Sequence, residues 1–524
     1  MTSRGRVPLA LAGPAVAAVG LVLLPLVYLA VRAGGGGEDA WRILVRHSTL
    51  ELVLQTGALV AGVTAAAVAV GVPLAWLVVR TDLPARRTIG VLAALPLVIP
   101  SYVAALALLG AFGPKGLLQE LLEGPFGVER LPEIYGYPGA LAALTLSTYP
   151  YVFLLCAAAL RRLDASLEEA ARGLGESQLG VFRRVTLPSL RPAIGGGGLL
   201  VALYALSDFG AVSLMQYDAL TRSIYVQYRS LFDRTPAAVL ALVLVALTAV
   251  VLALETRSRR GGFHRSGAGA ARQPARVALG AWRWPALAFC GLVLAFFLVV
   301  PVVVLAYWSA RAASFDLAWA ASGRSLLASA LAAAATVVLV LPVAVLAQRH
   351  GRWWTRLLER LSFAGNALPG IVIALSLVFF AANYTPFVYQ TLALLVLAYV
   401  VRFFPQALAG VSSALRAVNP RVEEAARGLG RGPWSVLLTV TVPLVRPGML
   451  AGAALVFLSA MKELPATLLL RPIGFDTLAT EIWKFTSLGA YSRAAPPALL
   501  LIALSAPLVY LLTVRSEGEA DAPG

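Results

Sequence analysis

Long apolar runs separated by short polar segments dominate this chain. A helix that crosses a bilayer needs about 20 predominantly apolar residues. Twelve stretches reach that length: 8–31, 53–79, 88–113, 138–160, 192–213, 236–255, 284–308, 325–347, 362–382, 386–410, 448–470 and 494–514. Each predicts a transmembrane helix, so the expected fold class is all-α, a polytopic membrane protein of about twelve spans. The first stretch follows Arg4 and Arg6, as the core of a signal peptide would. It is far longer than the roughly 7–15 apolar residues of such a core, which makes it a retained span.

Composition agrees with the pattern. Of 524 residues 59% are hydrophobic and 13% charged, with mean hydropathy +0.80. A soluble protein of this size carries about 25% charged residues. The deficit excludes a soluble enzyme, a disordered chain and a fibrous one, and the spans leave no length for a large extramembrane domain.

The net charge of +17 is unevenly placed. With the N-terminus on the cytoplasmic side, segments on that side hold 28 basic residues and the opposite loops 13. This is the positive-inside bias, and it predicts cytoplasmic N- and C-termini in a multi-pass protein. Lipid headgroups account for the excess charge, so no nucleic acid partner is expected. Cys156 and Cys290 lie in apolar runs, and His47, His264 and His350 are scattered, so neither a disulfide framework nor a metal site is predicted.

The chain also repeats itself. Residues 168–175 and 423–430 both read EEAARGLG, 255 positions apart, and Thr186, Pro188, Arg191 and Pro192 return as Thr441, Pro443, Arg446 and Pro447. Earlier in each half the surroundings of Pro73 and Arg80 resemble those of Pro342 and Arg349, and Pro100 aligns with Pro369, at an offset of 269. The difference falls in a longer first-half loop, 113–137, which carries Glu120, Glu123, Glu129 and Glu133. The predicted organisation is a six-span half at 1–256, a flexible Arg/Gly/Ala/Ser-rich cytoplasmic linker at 257–281, and a second six-span half at 282–524. An even span number gives both halves one orientation about a pseudo-twofold axis along the membrane normal, enclosing a path.

The repeated segments lie in cytoplasmic loops 161–191 and 411–447. Glu168 to Leu174 predicts a short helix with its acids near the start, ended by Gly173 and Gly175. A second amphipathic piece, with Val181, Phe182 and Val185, is expected to end at Leu187-Pro188, and Pro192 to open the next span. A plain connecting helix would explain one copy, but not two identical ones.

The pattern resembles the coupling loop of binding-protein-dependent ABC importer permeases. It reads Glu169-Ala170-Ala171, Gly175, Val185, Leu187-Pro188 in the first copy and Glu424-Ala425-Ala426, Gly430, Val440, Val442-Pro443 in the second. The resemblance implies two tandem type I permease halves in the bacterial cytoplasmic (inner) membrane. It implies docking of two copies of an ABC ATPase subunit on these loops, and delivery of cargo by a periplasmic substrate-binding protein. No cofactor is expected on the chain itself; ATP belongs to the partner subunits. The residues agree, because the only lysines, Lys115, Lys462 and Lys484, follow Pro114, Met461 and Trp483. A phosphate-binding Gly-Lys-Ser/Thr loop is therefore absent from the sequence.

Two acids, Asp208 and Glu463, fall at equivalent positions in the fifth span of each half, with Tyr204 one turn before Asp208. An acid inside a span costs roughly 2.5–3.5 kcal/mol on insertion scales, which marks both as candidates for the translocation path. The competing reading is a structural pair with Arg402 or Lys462. The run from Glu463 through Pro465, Arg471-Pro472, Gly474-Phe475-Asp476-Thr477-Leu478 to Ile482-Trp483 resembles ferric-iron permeases with both halves in one chain. That resemblance implies Fe(III) as cargo, which suits carboxylate and phenolate oxygen. Thiamine, phosphonate and polyamine permeases share the architecture and remain alternatives. An ion-driven secondary transporter is the alternative from another class.

Overall fold

The computed structural model describes residues 9–35, 37–114, 116–128, 130–163, 165–230, 235–259 and 276–521. Arg4, Arg6, Lys115, Glu129, His264 and most of the linker lie outside the described residues. Among the described residues the regular secondary structure is all helix, and one isolated parallel bridge joins Thr81 to Val277.

Ten helices are long and apolar enough to cross a membrane, and a bent pair makes eleven. Found among the described residues, they overlap the first eleven expected spans with shifted ends, and the twelfth lies within the helix Tyr491–Asp521. The order of elements repeats. A helix of 34 residues, His47–Arg80, corresponds to one of 35, Asp316–His350, with Pro73 and Pro342 inside them. After them Tyr137–Arg162 corresponds to Leu392–Ala417, and Leu187–Ser207 to Val442–Met461.

Three expectations about continuity are corrected. The stretch 88–113 is not one helix: Arg86–Ala94 passes into a 3₁₀ turn, Leu95–Val98, and Ser101–Phe112 starts afresh after Pro100. The stretch 362–382 is broken likewise, with Gly370–Tyr384 set at 103° to the helix before it, after Pro369. Proline lacks the N–H that would carry a helix through and biases its predecessor toward extended geometry, so an apolar run alone hides the break. The third correction concerns the coupling loops. The piece expected to stop at Leu187-Pro188 instead runs from Gln178–Val181 through a π turn, Phe182–Thr186, directly into Leu187–Ser207. The second half does the same through Leu437–Thr441. A π turn shifts the hydrogen-bond ladder by one residue, which accommodates the missing donors of Pro188 and Pro443.

Packing interleaves the two halves. Leu9–Gly34 lies against Asp316–His350 and Gly370–Tyr384 of the second half, and Val300–Ala310 lies against Ser101–Phe112 of the first. One apolar core accordingly joins Leu59, Leu144 and Val201 to Ala494 and Leu501. The other joins Leu11, Val22 and Leu240 to Ile371, Leu395 and Val411. Lipid supplies no hydrophobic drive between helices, so close backbone approach has to do the work. At Val152 it does. A Cβ on Gly71 would stand 3.0 Å from the Val152 Cβ, and one on Gly197 2.8 Å from the Val152 Cα, so three helices meet there almost backbone to backbone.

Candidate coupling loops and translocation path

In the first loop the helix Ala165–Gly173 ends in a turn at Gly175, whose φ of +88° is a left-handed conformation open to glycine. The second loop repeats this with Pro420–Gly428 and Gly430 at +84°. Each turn lifts an apolar side chain out of the protein: Leu174 is 86% exposed and Leu429 84%. Glu169, Ala170, Glu424 and Ala425 are exposed beside them, while Ala171 and Pro188 are half-buried, Ala426 is buried and Pro443 exposed. Of the singled-out residues, Glu169 and Ala170 in one loop and Glu424 and Ala425 in the other thus share the exposed side of the short helix with a leucine.

The neighbouring acid of each loop points the other way. Glu168 is buried in an ion pair with Arg80, and Thr186 Oγ1 donates to its carboxylate at 2.8 Å. Glu423 is buried against Arg349, whose Nε lies 3.1 Å from both carboxylate oxygens, and Thr441 Oγ1 donates to it at 3.2 Å. Arg172 and Arg427, one turn on, stand 3.6 Å from the same carboxylates. A buried charge is tolerable only when paired and hydrogen-bonded. Both carboxylates meet that demand with the same three side-chain types. Sequence reading singled out Glu169 and Glu424 and passed over these triads. The signal was present, because Arg80, Glu168 and Thr186 all recur in the second half.

The mid-span acids sit at helix breaks rather than inside continuous spans, which corrects the expectation. Leu187–Ser207 stops before Asp208, and a short helix, Gly210–Leu214, follows. Asp208 Oδ1 accepts from the Ala211 and Val212 backbone N–H groups at 2.9 and 3.3 Å, Oδ2 accepts from the Ser101 hydroxyl, and Thr221 Oγ1 donates to its carbonyl. Tyr204 reaches the same Ser101. In the second half Val442–Met461 ends before Lys462, and Glu463 Oε1 accepts from Ala466 N at 3.2 Å. Arg402 Nε lies 3.2 Å from Glu463 Oε2. Of the two partners anticipated for a structural pair, Arg402 takes that place, and Lys462 instead donates to the Leu97 carbonyl of the other half at 3.0 Å. The two breaks meet: a Cβ on Gly210 would stand 2.7 Å from Tyr102 and 3.3 Å from Leu464. The Tyr102 hydroxyl is buried there without a hydrogen-bond partner among the described residues.

On the side of the breaks away from the coupling loops, Phe209 packs between Tyr225 and Trp483, with ring centroids 4.9 and 5.1 Å away. Tyr225 and Trp483 also border a cavity of about 450 Å³ that opens between the halves, lined among others by Tyr389, Arg229, Arg471 and Lys484. Among the described residues no three His, Cys, Asp or Glu side chains cluster as a metal site. The exposed loop turns, the helix breaks and the cavity each draw residues from both halves.

A family model for the binding-protein-dependent transport system inner membrane component matches residues 58–261 and again 340–515. The chain belongs to that family. The permease is 34% identical over 94% of its length, and 96% of the relative's, to the Fe(3+)-transport system permease protein FbpB 2 of Haemophilus influenzae. A putative ferric transport system permease protein, FbpB 1, of the same organism is 24% identical over 77% of the permease and 68% of its own length. The molybdenum transport system permease protein ModB of Mycobacterium tuberculosis is 31% identical over 46% of the permease and 90% of itself. The permease is therefore a multi-pass transport component of an inner-membrane system, and carries two permease regions in tandem where the molybdenum relative matches across less than half of the chain.

Proposed function

We propose that this permease imports Fe(III) handed over by a periplasmic binding protein, driven by ATP hydrolysis on two separate subunits docked at the repeated loops. The observation that carries the reading is the likeness to a ferric permease along nearly the whole chain. Site chemistry is compatible, since Asp208, Tyr204 and Tyr102 near the breaks offer hard oxygen atoms to a hard cation. Under this proposal the halves divide at the linker 257–281, the coupling loops and both termini face the cytoplasm, and the cavity bordered by Tyr225 and Arg471 faces the binding protein. The exposed Glu169–Leu174 and Glu424–Leu429 surfaces each seat one ATPase.

Import proceeds by rocking of the two halves as the ATPases close, with the Pro100 and Pro369 breaks letting the inner pieces move against the outer ones. Asp208 and Glu463 cap the short helices at the narrowest point and set the charge that cargo meets. One observation favours an oxyanion instead: the outer cavity is bordered by Arg229, Arg471 and Lys484. Uptake of radioactive iron by proteoliposomes holding the full complex separates the two. Iron taken up with ATP and not displaced by molybdate or phosphate supports the proposal, whereas ATP-driven molybdate uptake without iron uptake overturns it. The double variant Glu169→Arg/Glu424→Arg is expected to abolish uptake and to release the ATPases from purified complex; normal uptake refutes the docking role.

A further inference from the structure

Each half carries a helix of 34 or 35 residues, His47–Arg80 or Asp316–His350, that runs from its coupling loop toward the opposite end of the protein, and both are anchored in the same two ways. At the coupling end Arg80 of His47–Arg80 grips Glu168, and Arg349 of Asp316–His350 grips Glu423. At the other end Thr56 Oγ1 accepts the backbone N–H of Leu220 at 3.0 Å, and Ser325 Oγ accepts that of Leu478 at 2.9 Å. Leu220 and Leu478 are the first residues of the outer helices Leu220–Ser230 and Leu478–Ser487. Those helices carry Tyr225 and Trp483, which with Phe209 make an aromatic cluster, the plug of the proposed path, beside the cavity.

The spacing is the same in both halves. Thr56 to Arg80 and Ser325 to Arg349 are each 24 positions, about 36 Å of α-helix. Thr56, Arg80 and Ser325 on the rods are buried, as are Leu220 and Leu478, and Arg349 is half-buried with its side chain 7% exposed. A buried N–H must have a partner, and the first helical N–H groups of the outer helices have none within their own helix. The long helix supplies it. A rigid element fixed at both ends to two different sites is the physical condition for coupling them.

We infer that His47–Arg80 and Asp316–His350 act as connecting rods, carrying displacement of the coupling loops directly to the outer helices that hold the aromatic plug, with Arg80, Glu168, Thr56 and Arg349, Glu423, Ser325 as positioning residues. This rests on the docking of ATPases at the loops and adds the route by which their motion leaves. The helices next to the coupling loops, Leu187–Ser207 and Val442–Met461, end at the breaks. They lead to Phe209 and Leu464 at the breaks but do not continue into the outer helices Leu220–Ser230 and Leu478–Ser487.

The test uses the reconstituted complex with spin labels at V226C and S487C, one on each outer helix. In the labelled parent the distance between labels changes when nucleotide binds. In Thr56→Ala/Ser325→Ala that change falls about fivefold or more, while the ATPases stay bound and hydrolyse ATP. Thr56→Ser/Ser325→Thr, which exchanges the hydroxyls each half already uses, restores it; a purely structural weakening of the outer helices gives no such rescue. An unchanged nucleotide response in the alanine variant overturns the rods and leaves the docking reading standing. A parent complex whose labels ignore nucleotide overturns both.

Discussion

Asp208 and Glu463 occupy equivalent breaks, yet the two halves neutralise them by opposite means. In the first half the first residue of the restarted helix is Ser101, whose hydroxyl donates to Asp208, and the position matching Arg402 is Ser147. In the second half the residue matching Ser101 is Gly370, and the vacated space is filled by the Arg402 guanidinium, which a Cβ at Gly370 would overlap. Asp208 is thus held by neutral donors and backbone N–H groups, with Glu463 held by a cation. Fold symmetry places both acids; one glycine–arginine exchange leaves Asp208 without an ion-pair partner among the described residues, while the Arg402 charge that pairs Glu463 acts on it only from a distance. If either acid meets a cationic cargo, that acid is Asp208.

The largest effect expected from breaking this difference is in Arg402→Ala. It leaves Glu463 buried and unpaired, a loss of about 3–5 kcal/mol that thermal unfolding of the purified complex reads as a lowered midpoint. A loss below about 1 kcal/mol, the range of exposed pairs, would contradict the pairing. Gly370→Ser comes next. Its added side chain displaces the guanidinium and costs about 1–3 kcal/mol, and adding Arg402→Ser, which rebuilds the first-half arrangement, recovers part of that loss. No recovery in the double variant would mean that the two positions are not coupled.

Asp208→Asn has the smallest effect on stability. Asparagine caps helices about as well as aspartate, so unfolding shifts by less than about 1 kcal/mol, while iron uptake falls if the charge meets cargo. Unchanged uptake in that variant would reduce Asp208 to a cap.

The sequence was readable where one physical demand dominates. Spans follow from bilayer thickness, and the coupling loops from eight letters written twice. The breaks at Pro100 and Pro369 were not, because hydropathy counts apolar side chains and is blind to a missing backbone N–H. The same blindness made Asp208 and Glu463 look like residues inside helices. Choosing between Glu168 and Glu169 required knowing which face of a short helix turns inward, and a loop offers no periodic neighbour to say so. Arg80 held the answer, 88 residues earlier in the chain. Interleaved packing of Leu9–Gly34 on the second half was equally out of reach, since apolar runs carry no record of which partner they meet.

The central claim is that this conduit is worked by motors outside its own chain. Proteoliposomes containing the permease alone, or the permease with its ATPases, ATP and loaded binding protein, test it directly. Iron accumulation in the complete system only, with none in the permease alone under an imposed ion gradient, is the predicted result. Gradient-driven accumulation by the permease alone, in the absence of nucleotide, would contradict it.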